Sequence, residues 1–236
     1  MKWRQFVSRY PFFLFGAMFL LMWFGNAHDG GTNPASRFAL MRAMAVDHSF
    51  SITPYKEWTI DWSQGPDGEI YSNKAPGAAL LGFPIFFLLD HPRTEEARLS
   101  PPSVHLRSWV SNLVQTLPYF ILGLIVFGKL QLFGVERAGL TFGSLAFFFG
   151  NTAALLMGVL FGHALAAWLV LATFYFLKWN ETRWQFVLAG LCLGFAVLSD
   201  YGAVFFIPPS VWLLTKGVGV LRRLFEFALG AIAPLG

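Results

Sequence analysis

Apolar and polar positions divide the chain into three zones. An apolar run at residues 11–24 follows a basic amino-terminal stretch. Residues 26–107 are more polar and carry nine of the thirteen carboxylates and four of the five histidines. After residue 107 apolar runs return, with short basic loops between some of them. The pattern predicts a first transmembrane helix (residues 1–25), a long polar segment (26–107) and a bundle of membrane helices (108–236).

The apolar runs of the last zone predict about five membrane spans and an incomplete final one. Two of them are short for a full crossing and would have to tilt little, thin the bilayer or be partly buried in protein. The short final run indicates either the front part of a longer protein or a segment that needs a partner. The runs are residues 108–128, 138–156, 161–177, 186–199, 201–215 and 224–236.

Two pieces of the polar segment are predicted to be helical without crossing the membrane. Asn33 can cap a helix and Pro34 suits its first turn, and a helix from there to about Val46 would lie at the membrane interface. Residues 75–89 are apolar, but a spanning helix needs roughly twenty residues. We therefore expect this second piece to dip into the membrane or lie along it. Loop or short strand is predicted between the two, with a turn at residues 65–68.

The distribution of basic residues predicts which side each segment occupies. If residues 75–89 do not cross, all ten Lys and Arg outside the long segment lie on one side, which the positive-inside rule assigns to the cytoplasm. The long segment is then extracytoplasmic, as are the junctions near residues 151–163 and 200–201. A cleaved signal peptide is the alternative interpretation of the first run, because residues 25–27 end in a small-x-small pattern.

Composition agrees with a membrane protein that has lipids as partners. The chain is 56% hydrophobic, 18% aromatic and 13% charged, with a mean hydropathy of +0.54, whereas soluble domains carry about 25% charge. The net charge of +4 does not indicate nucleic acid, because the basic residues lie in short clusters beside apolar runs. A single cysteine, Cys192, excludes an intrachain disulfide. The predicted fold class is an all-α polytopic membrane protein.

Several loose motifs follow one another in an order that resembles a known family. They are Asn33-Pro-Ala-Ser-Arg37, Thr59-Ile-Asp61, Asn73-Lys74-Ala-Pro-Gly77, Phe161-Gly-His163 and Ser199-Asp200-Tyr201. Together with the topology they resemble the amino-terminal half of bacterial membrane glycosyltransferases of the dolichyl-phosphate-mannose protein mannosyltransferase type, with the GT-C architecture.

The resemblance implies a transferase of the bacterial inner membrane that uses a polyprenyl-phosphate-linked sugar. Its site would lie at the outer membrane–water boundary, where an acid soon after the first helix acts as base or metal ligand. A second polar site would lie in the next outer junction. The chain departs from this pattern at Asn33 and Asn73, where relatives often carry acids, and neither amide can act as a general base. It also lacks the second half of the helices that such enzymes usually have.

Asp61 is the candidate catalytic residue, because transfer needs a carboxylate to accept the proton of an acceptor hydroxyl. The neighbouring Trp58 and Trp62 are suited to stacking on a sugar or to anchoring at the interface. Arg37 and Lys74 are the candidates for binding the lipid phosphate, since the leaving group is an anion. The alternative interpretations are a solvated loop aspartate, lipid headgroup contacts and a structural ion pair.

His163, Asp200, Tyr201 and Asn33 complete the predicted substrate-binding set. Asp200 is the only carboxylate embedded directly between two later apolar runs, 186–199 and 201–215, where charge is costly and usually functional. A structural role for His163 and pairing of Asp200 with a loop arginine stay open. Some acid–histidine neighbours have metal-ligand chemistry without the spacing of a strong site, so no metal ligand is assigned and a divalent cation stays open. They are His28 with Asp29, and Asp47 with His48.

Two other functions stay open. Asn33, Asn73 and the short length favour a non-catalytic GT-C-like subunit that acts by contact with partner membrane subunits. Pro208-Pro209 and the glycine-rich runs permit the broken helices of a lipid or solute transporter, although buried charge along the later runs is sparse. The sequon at residues 180–182 is predicted to be cytoplasmic and unused.

Overall fold

A computed structural model describes residues 16, 19, 20, 23, 31–150, 152, 156–178, 184–216 and 218–235. The described chain is mostly helical, which confirms the all-α expectation, with one small antiparallel hairpin. Most of the predicted first transmembrane helix, the His28–Asp29 pair and the sequon lie outside the described residues.

The helices of the polar segment are short. α1 is Thr32–Arg42 and continues as a π-helical turn, Ala43–Asp47. A 3₁₀ helix (Thr53–Trp58) precedes the hairpin of β1 (Trp62–Gln64) and β2 (Ile70–Ser72). α2 (Gly77–Leu89) and α3 (Glu95–Leu99) follow.

The apolar zone has longer helices. They are α4 (Val104–Ser111), α5 (Leu117–Leu132), α6 (Arg137–Phe149), α7 (Gly162–Lys178), α8 (Gln185–Ser199), α9 (Ile207–Leu214) and α10 (Val220–Ile232). A π-helical segment, Asn112–Thr116, joins α4 to α5. The resulting helix Val104–Leu132 is long and apolar enough to cross a membrane, and the other apolar helices of the described chain are shorter. The number of spans and their sidedness stay predictions.

The start and surroundings of α1 differ from the sequence prediction. Gly31, with φ of 72°, occupies the N-cap position, so Asn33 lies inside the helix and the prediction that it caps α1 is wrong. From Pro34 to Arg42 all residues but one are buried. α1 therefore does not present the free polar face of an interfacial helix, and it packs in the core against α2.

An ion pair buried beside aromatic rings joins α1 to the end of α2. Arg42 Nε lies 2.6 Å from Asp90 Oδ2, and both side chains are almost inaccessible to solvent. The same guanidinium donates to the carbonyl oxygens of Ala97 and Arg98. It also lies over the ring of Trp58. Because a buried guanidinium needs several acceptors, the chain after α2 is drawn back onto α1.

The hairpin brings two distant parts of the polar segment together. Gly65 and Gly68 form its turn, where the Gly65 N–H donates to the Glu69 carbonyl at 2.8 Å, as the sequence predicted. The register pairs Trp62 with Ser72. Asp61 and Asn73, one step beyond that pair, are joined by a backbone hydrogen bond of 3.3 Å. The residue after Asn73, Lys74, consequently lies next to Asp61.

α8 and α10 pack with their backbones almost in contact. A Cβ atom at Gly190 would overlap the carbonyl oxygen of Phe227, and one at Gly230 would overlap that of Val187. Gly194, one turn after Gly190, lies equally close to Ala231. Small residues spaced four apart permit such close helix contacts in apolar surroundings. The contact sets the position of α8, which ends at Ser199.

We predict that Gly190→Ala destabilises the protein by about 1–3 kcal/mol, because overpacking forces the helices apart. The matched control is Gly139→Ala in α6, where a Cβ would meet only Val135 at 3.4 Å. That change should be neutral or stabilising, since alanine is the better helix former. Thermal unfolding of both variants in detergent is the measurement. Equal effects would contradict the α8–α10 contact.

Candidate functional site

Asp61 lies at the centre of a polar cluster between α1 and the hairpin. Its Oδ1 is 3.0 Å from Lys74 Nζ, and its Oδ2 accepts a hydrogen bond of 3.0 Å from Thr32 Oγ1. Ser36 Oγ donates to the Asp61 carbonyl at 2.7 Å. Both charged side chains keep roughly a fifth of their surface exposed (21% for Asp61, 23% for Lys74), so solutes have access to the pair.

Arg37 is the most deeply buried member of the predicted site, with 4% of its surface exposed. Its Nη1 donates to the backbone and side-chain oxygens of Asn33, while its Nε has no hydrogen-bond partner among the described residues. Burial lowers the pKa of Arg37 to about 10, although the nearby carboxylates of Asp61 and Asp200 act in the opposite direction. Arg37 is therefore still a cation at neutral pH.

His163 and Asp200 form a pair at the start of α7 and the end of α8. His163 Nδ1 lies 2.5 Å from Asp200 Oδ2, and the second oxygen of Asp200 accepts from the Gly202 N–H at 3.0 Å. Burial acts to raise the pKa of Asp200, but these hydrogen bonds and the charges of His163 and Arg37 outweigh it, so the pKa lies below its ordinary value. The imidazole itself is mostly exposed, at 70%.

Close backbone contacts bring these residues to one place. The Ser199 backbone lies against Gly77, the first residue of α2, and against Gly162, the first residue of α7. A Cβ atom at Gly162 would lie 2.9 Å from Arg37 Nη2 and would also overlap the Ser199 carbonyl oxygen. Ends of α2, α7 and α8 therefore meet around Arg37. The sequence motifs contain both glycines but do not indicate this contact.

A buried polar group that the sequence analysis did not single out holds the chain before Gly162. Gln115 Nε2 donates to the carbonyl oxygens of Met157 at 3.2 Å and Val159 at 2.6 Å. Thr116 Oγ1 donates to the Met157 carbonyl at 3.0 Å. Both side chains lie in the π-helical segment between α4 and α5, and such segments are frequent near functional sites. An isolated glutamine in an apolar run does not indicate which groups it will bind. Only the fold shows that Gln115 donates to the carbonyl groups before α7.

Two predicted site residues stay at the edge of the cluster. Trp62 in β1 and Tyr201 after α8 are largely exposed, at 41% and 64%. Within the described part of the chain, no side-chain hydrogen bond links either of them to Asp61 or Asp200. Trp58 lies on the other side of α1, where its Nε1 donates to the Leu99 carbonyl at 2.8 Å.

In the described ranges, no group of three or more His, Cys, Asp and Glu side chains is gathered as a metal site would require. Asp47 accepts hydrogen bonds from Tyr55 and Arg98. A divalent cation stays a prediction.

A cavity of about 370 Å³ opens beside the cluster and is lined by Thr32, Ala35 and Phe38 of α1. Thr32 borders both, because it lines the cavity and its hydroxyl donates to Asp61. The described site thus combines a cation pair, two carboxylates, a histidine and a neighbouring cavity. This set can bind an anion and accept a proton.

Comparisons of the chain with protein-family models, with curated proteins and with solved structures gave no match.

We predict that the Asp200 interactions make stability depend on pH. Because the folded-state pKa of Asp200 is depressed, its contribution is present above the ordinary aspartate value of about 4 and is lost as pH falls through the folded value. Asp200→Asn should therefore lose about 2 kcal/mol near neutral pH, as expected for a hydrogen bond to a charged group. It should also show a weaker loss of stability in acid than the unchanged protein.

The measurement is the unfolding temperature between neutral and acidic pH. Glu57→Gln is the control, since the Glu57 carboxylate is 86% exposed and should leave the profile unchanged. An Asp200→Asn profile parallel to that of the unchanged protein would argue against the pairing with His163.

Proposed function

We propose that this chain is a membrane glycosyltransferase of the GT-C type, which transfers a sugar from a polyprenyl-phosphate-linked donor to an extracytoplasmic acceptor. The observation that carries the proposal is the convergence of Arg37, Asp61, Lys74, His163 and Asp200 from separate parts of the chain. Four apolar or buried helices end or begin beside these residues. Polar groups gathered at the ends of apolar helices suit chemistry at a membrane–water boundary.

The charges fit the donor. A sugar phosphate linked to a lipid is an anion, and the cations Arg37 and Lys74 lie near one another through their shared neighbour Asp61. Arg37 is buried with an unpaired Nε, and a buried cation stabilises the charge that develops on a departing phosphate more strongly than an exposed one. In this proposal both cations bind the phosphate of the donor, and His163 and Asp200 border the same space.

Asp61 is the proposed proton acceptor. The acceptor oxygen forms a bond to the anomeric carbon as its proton passes to Asp61, and the bond from that carbon to the phosphate oxygen breaks with its electron pair. In the structure Lys74 pairs with the Asp61 carboxylate. A donor phosphate competes for Lys74, so donor binding would release Asp61 to act as a base.

A non-catalytic membrane subunit is the second candidate. The Asp61–Lys74 ion pair and the Arg37–Asn33 hydrogen bonds favour it, because each candidate group already has a partner within the chain. Such a subunit would keep the fold and act through partner membrane subunits. The inner-membrane location belongs to both proposals.

We predict that Asp61→Asn lowers sugar transfer by about 10²–10⁴-fold, the usual contribution of a general base. Lys74→Ala should also lower transfer and should weaken donor binding, because the phosphate loses a cation. The measurement is transfer from a polyprenyl-phosphate-linked sugar by the purified chain in liposomes, or the surface glycans of the native host.

The 3₁₀ helix Thr53–Trp58, a few residues before Asp61, offers matched controls. Lys56 and Glu57 are exposed and only 3.9 Å apart at their charged ends, and Lys56→Ala and Glu57→Gln should transfer normally. Unaltered transfer in both Asp61→Asn and Lys74→Ala would remove this mechanism. Transfer that needs co-purified partner chains and survives both changes would support the subunit.

A further inference from the structure

The cavity beside α1 has walls of two chemical kinds. One part is apolar and includes two aromatic rings and two consecutive prolines, while the other part carries a hydroxyl and a guanidinium. Its volume of about 370 Å³ lies within the range of small-molecule sites. Residues at its wall include Thr32, Ala35, Phe38, Trp58, Pro102 and Arg107.

The aromatic wall is held in place before any ligand binds. Trp58 Nε1 donates to the Leu99 carbonyl, and the Tyr55 ring packs at 4.9 Å from the Trp58 ring. The Arg42 guanidinium lies 5.4 Å from the centre of the indole and is itself fixed by Asp90. Ring positions fixed in this way lower the entropy lost on binding. The wall that Pro101 and Pro102 add is rigid and has no N–H donors.

This combination fits a pyranose sugar. A pyranose has an apolar C–H face, which stacks on an aromatic ring, and a rim of hydroxyls, which need hydrogen-bond partners. Trp58 provides the apolar contact, since Phe38 is only 1% exposed, and Thr32 and Arg107 add polar side chains to the same lining. A purely apolar chain would displace water from these two polar side chains without replacing its hydrogen bonds, which lowers affinity.

Thr32 connects the cavity to the proposed base. Thr32 lines the cavity, and its hydroxyl donates to Asp61 Oδ2 at 3.0 Å. A sugar hydroxyl that donates to Thr32 Oγ1 would pass its proton to that oxygen while the Thr32 proton moves to Asp61. The sugar oxygen then forms the bond to the anomeric carbon of the donor, and the carbon–phosphate oxygen bond breaks with its electron pair.

We infer that this cavity is a carbohydrate-binding subsite, and that the sugar it holds is the acceptor of the transfer reaction. The second half of the inference rests on the proposed function, whereas sugar binding does not. Donor and acceptor would then meet beside the Asp61 carboxylate, with the donor phosphate near Lys74 and the acceptor hydroxyl beside Thr32.

A direct binding measurement tests whether the cavity binds a carbohydrate. The full chain, labelled with 5-fluorotryptophan and kept in a detergent without sugar, is titrated with glucose, glucuronate or geranyl phosphate while the ¹⁹F spectrum is recorded. Trp58→Phe identifies the Trp58 signal among those of the nine tryptophans. We expect a saturable shift of that signal with glucose or glucuronate. The absence of a shift with both sugars, or a shift with geranyl phosphate alone, would overturn the inference.

A variant that fills the cavity tests the location of the sugar without removing any existing side-chain contact. Ala35→Leu should weaken sugar binding by about tenfold or more, which is about 1.4 kcal/mol, without removing a group that the fold uses. Ala138→Leu in α6 is the control, because Ala138 is exposed and remote from the cavity in sequence and fold, and it should bind as the unchanged chain does. Equal sugar binding by Ala35→Leu and Ala138→Leu would show that the sugar does not bind in this cavity.

Transfer assays test whether the sugar in the cavity is the acceptor of the reaction. Thr32→Val should weaken sugar binding by about tenfold or less, through the loss of one hydrogen bond. At saturating sugar it should still lower transfer by about tenfold or more, since the proton loses its path to Asp61. If Ala35→Leu abolishes binding but transfer persists, the cavity is not the acceptor site. If sugar binds and no transfer is ever measured, the enzyme proposal fails while the carbohydrate subsite stands.

Discussion

Contact between the Ser199 backbone and two glycines determines how the polar residues come together. Gly77 begins α2 and Gly162 begins α7, and neither position has room for a Cβ atom. Any larger residue would separate α8 from one of these helices. Asp200 follows Ser199 directly, so the same contact places its carboxylate near His163 and Arg37. The α8–α10 glycine contacts hold the other end of this arrangement, because they fix the course of α8.

The balance of charges around Arg37 is the second constraint. It follows from the contact between Ser199 and the two glycines, which buries Arg37 among helix ends. Arg37 is buried where three helix ends meet, and a buried cation is tolerated only when carboxylates or other acceptors lie nearby. Asn33 provides direct hydrogen bonds, while Asp61 and Asp200 provide charge from two sides. Lys74 in turn neutralises Asp61. The cluster is therefore nearly balanced at rest, and an arriving anion would change the pairing of its members rather than meet a free positive surface.

Polar side chains elsewhere in the apolar part support this centre instead of competing with it. Gln115 and Thr116 bind the carbonyl groups of the turn before α7, where backbone groups would otherwise be buried without partners. Arg42 likewise binds carbonyl groups of the chain after α2, since its guanidinium pairs with Asp90 and donates to two carbonyl oxygens. Both groups fix loops that carry or border candidate site residues, so the rigidity of the site comes from side chains that take no part in binding.

The sequence by itself determined the helical class, the approximate bounds of most helices, the hairpin turn and the set of polar residues that are candidates for a site. These follow from local patterns: the spacing of apolar residues, Gly-Pro-Asp-Gly, and charge confined to a few positions. It did not locate the Gly31 cap of α1, the burial of that helix, the start of α4 at Val104 or the use of Gln115. The burial of α1 and the use of Gln115 depend on contacts between residues far apart in the chain, which local patterns do not record. The two helix starts are local instead, since Gly31 has a positive φ and Ser103 caps α4 by accepting from the Leu106 N–H. Tertiary structure alone decided that Lys74 pairs with Asp61, that His163 pairs with Asp200, and that a cavity lies behind Thr32, because only the packing of helix ends sets the distances between these groups.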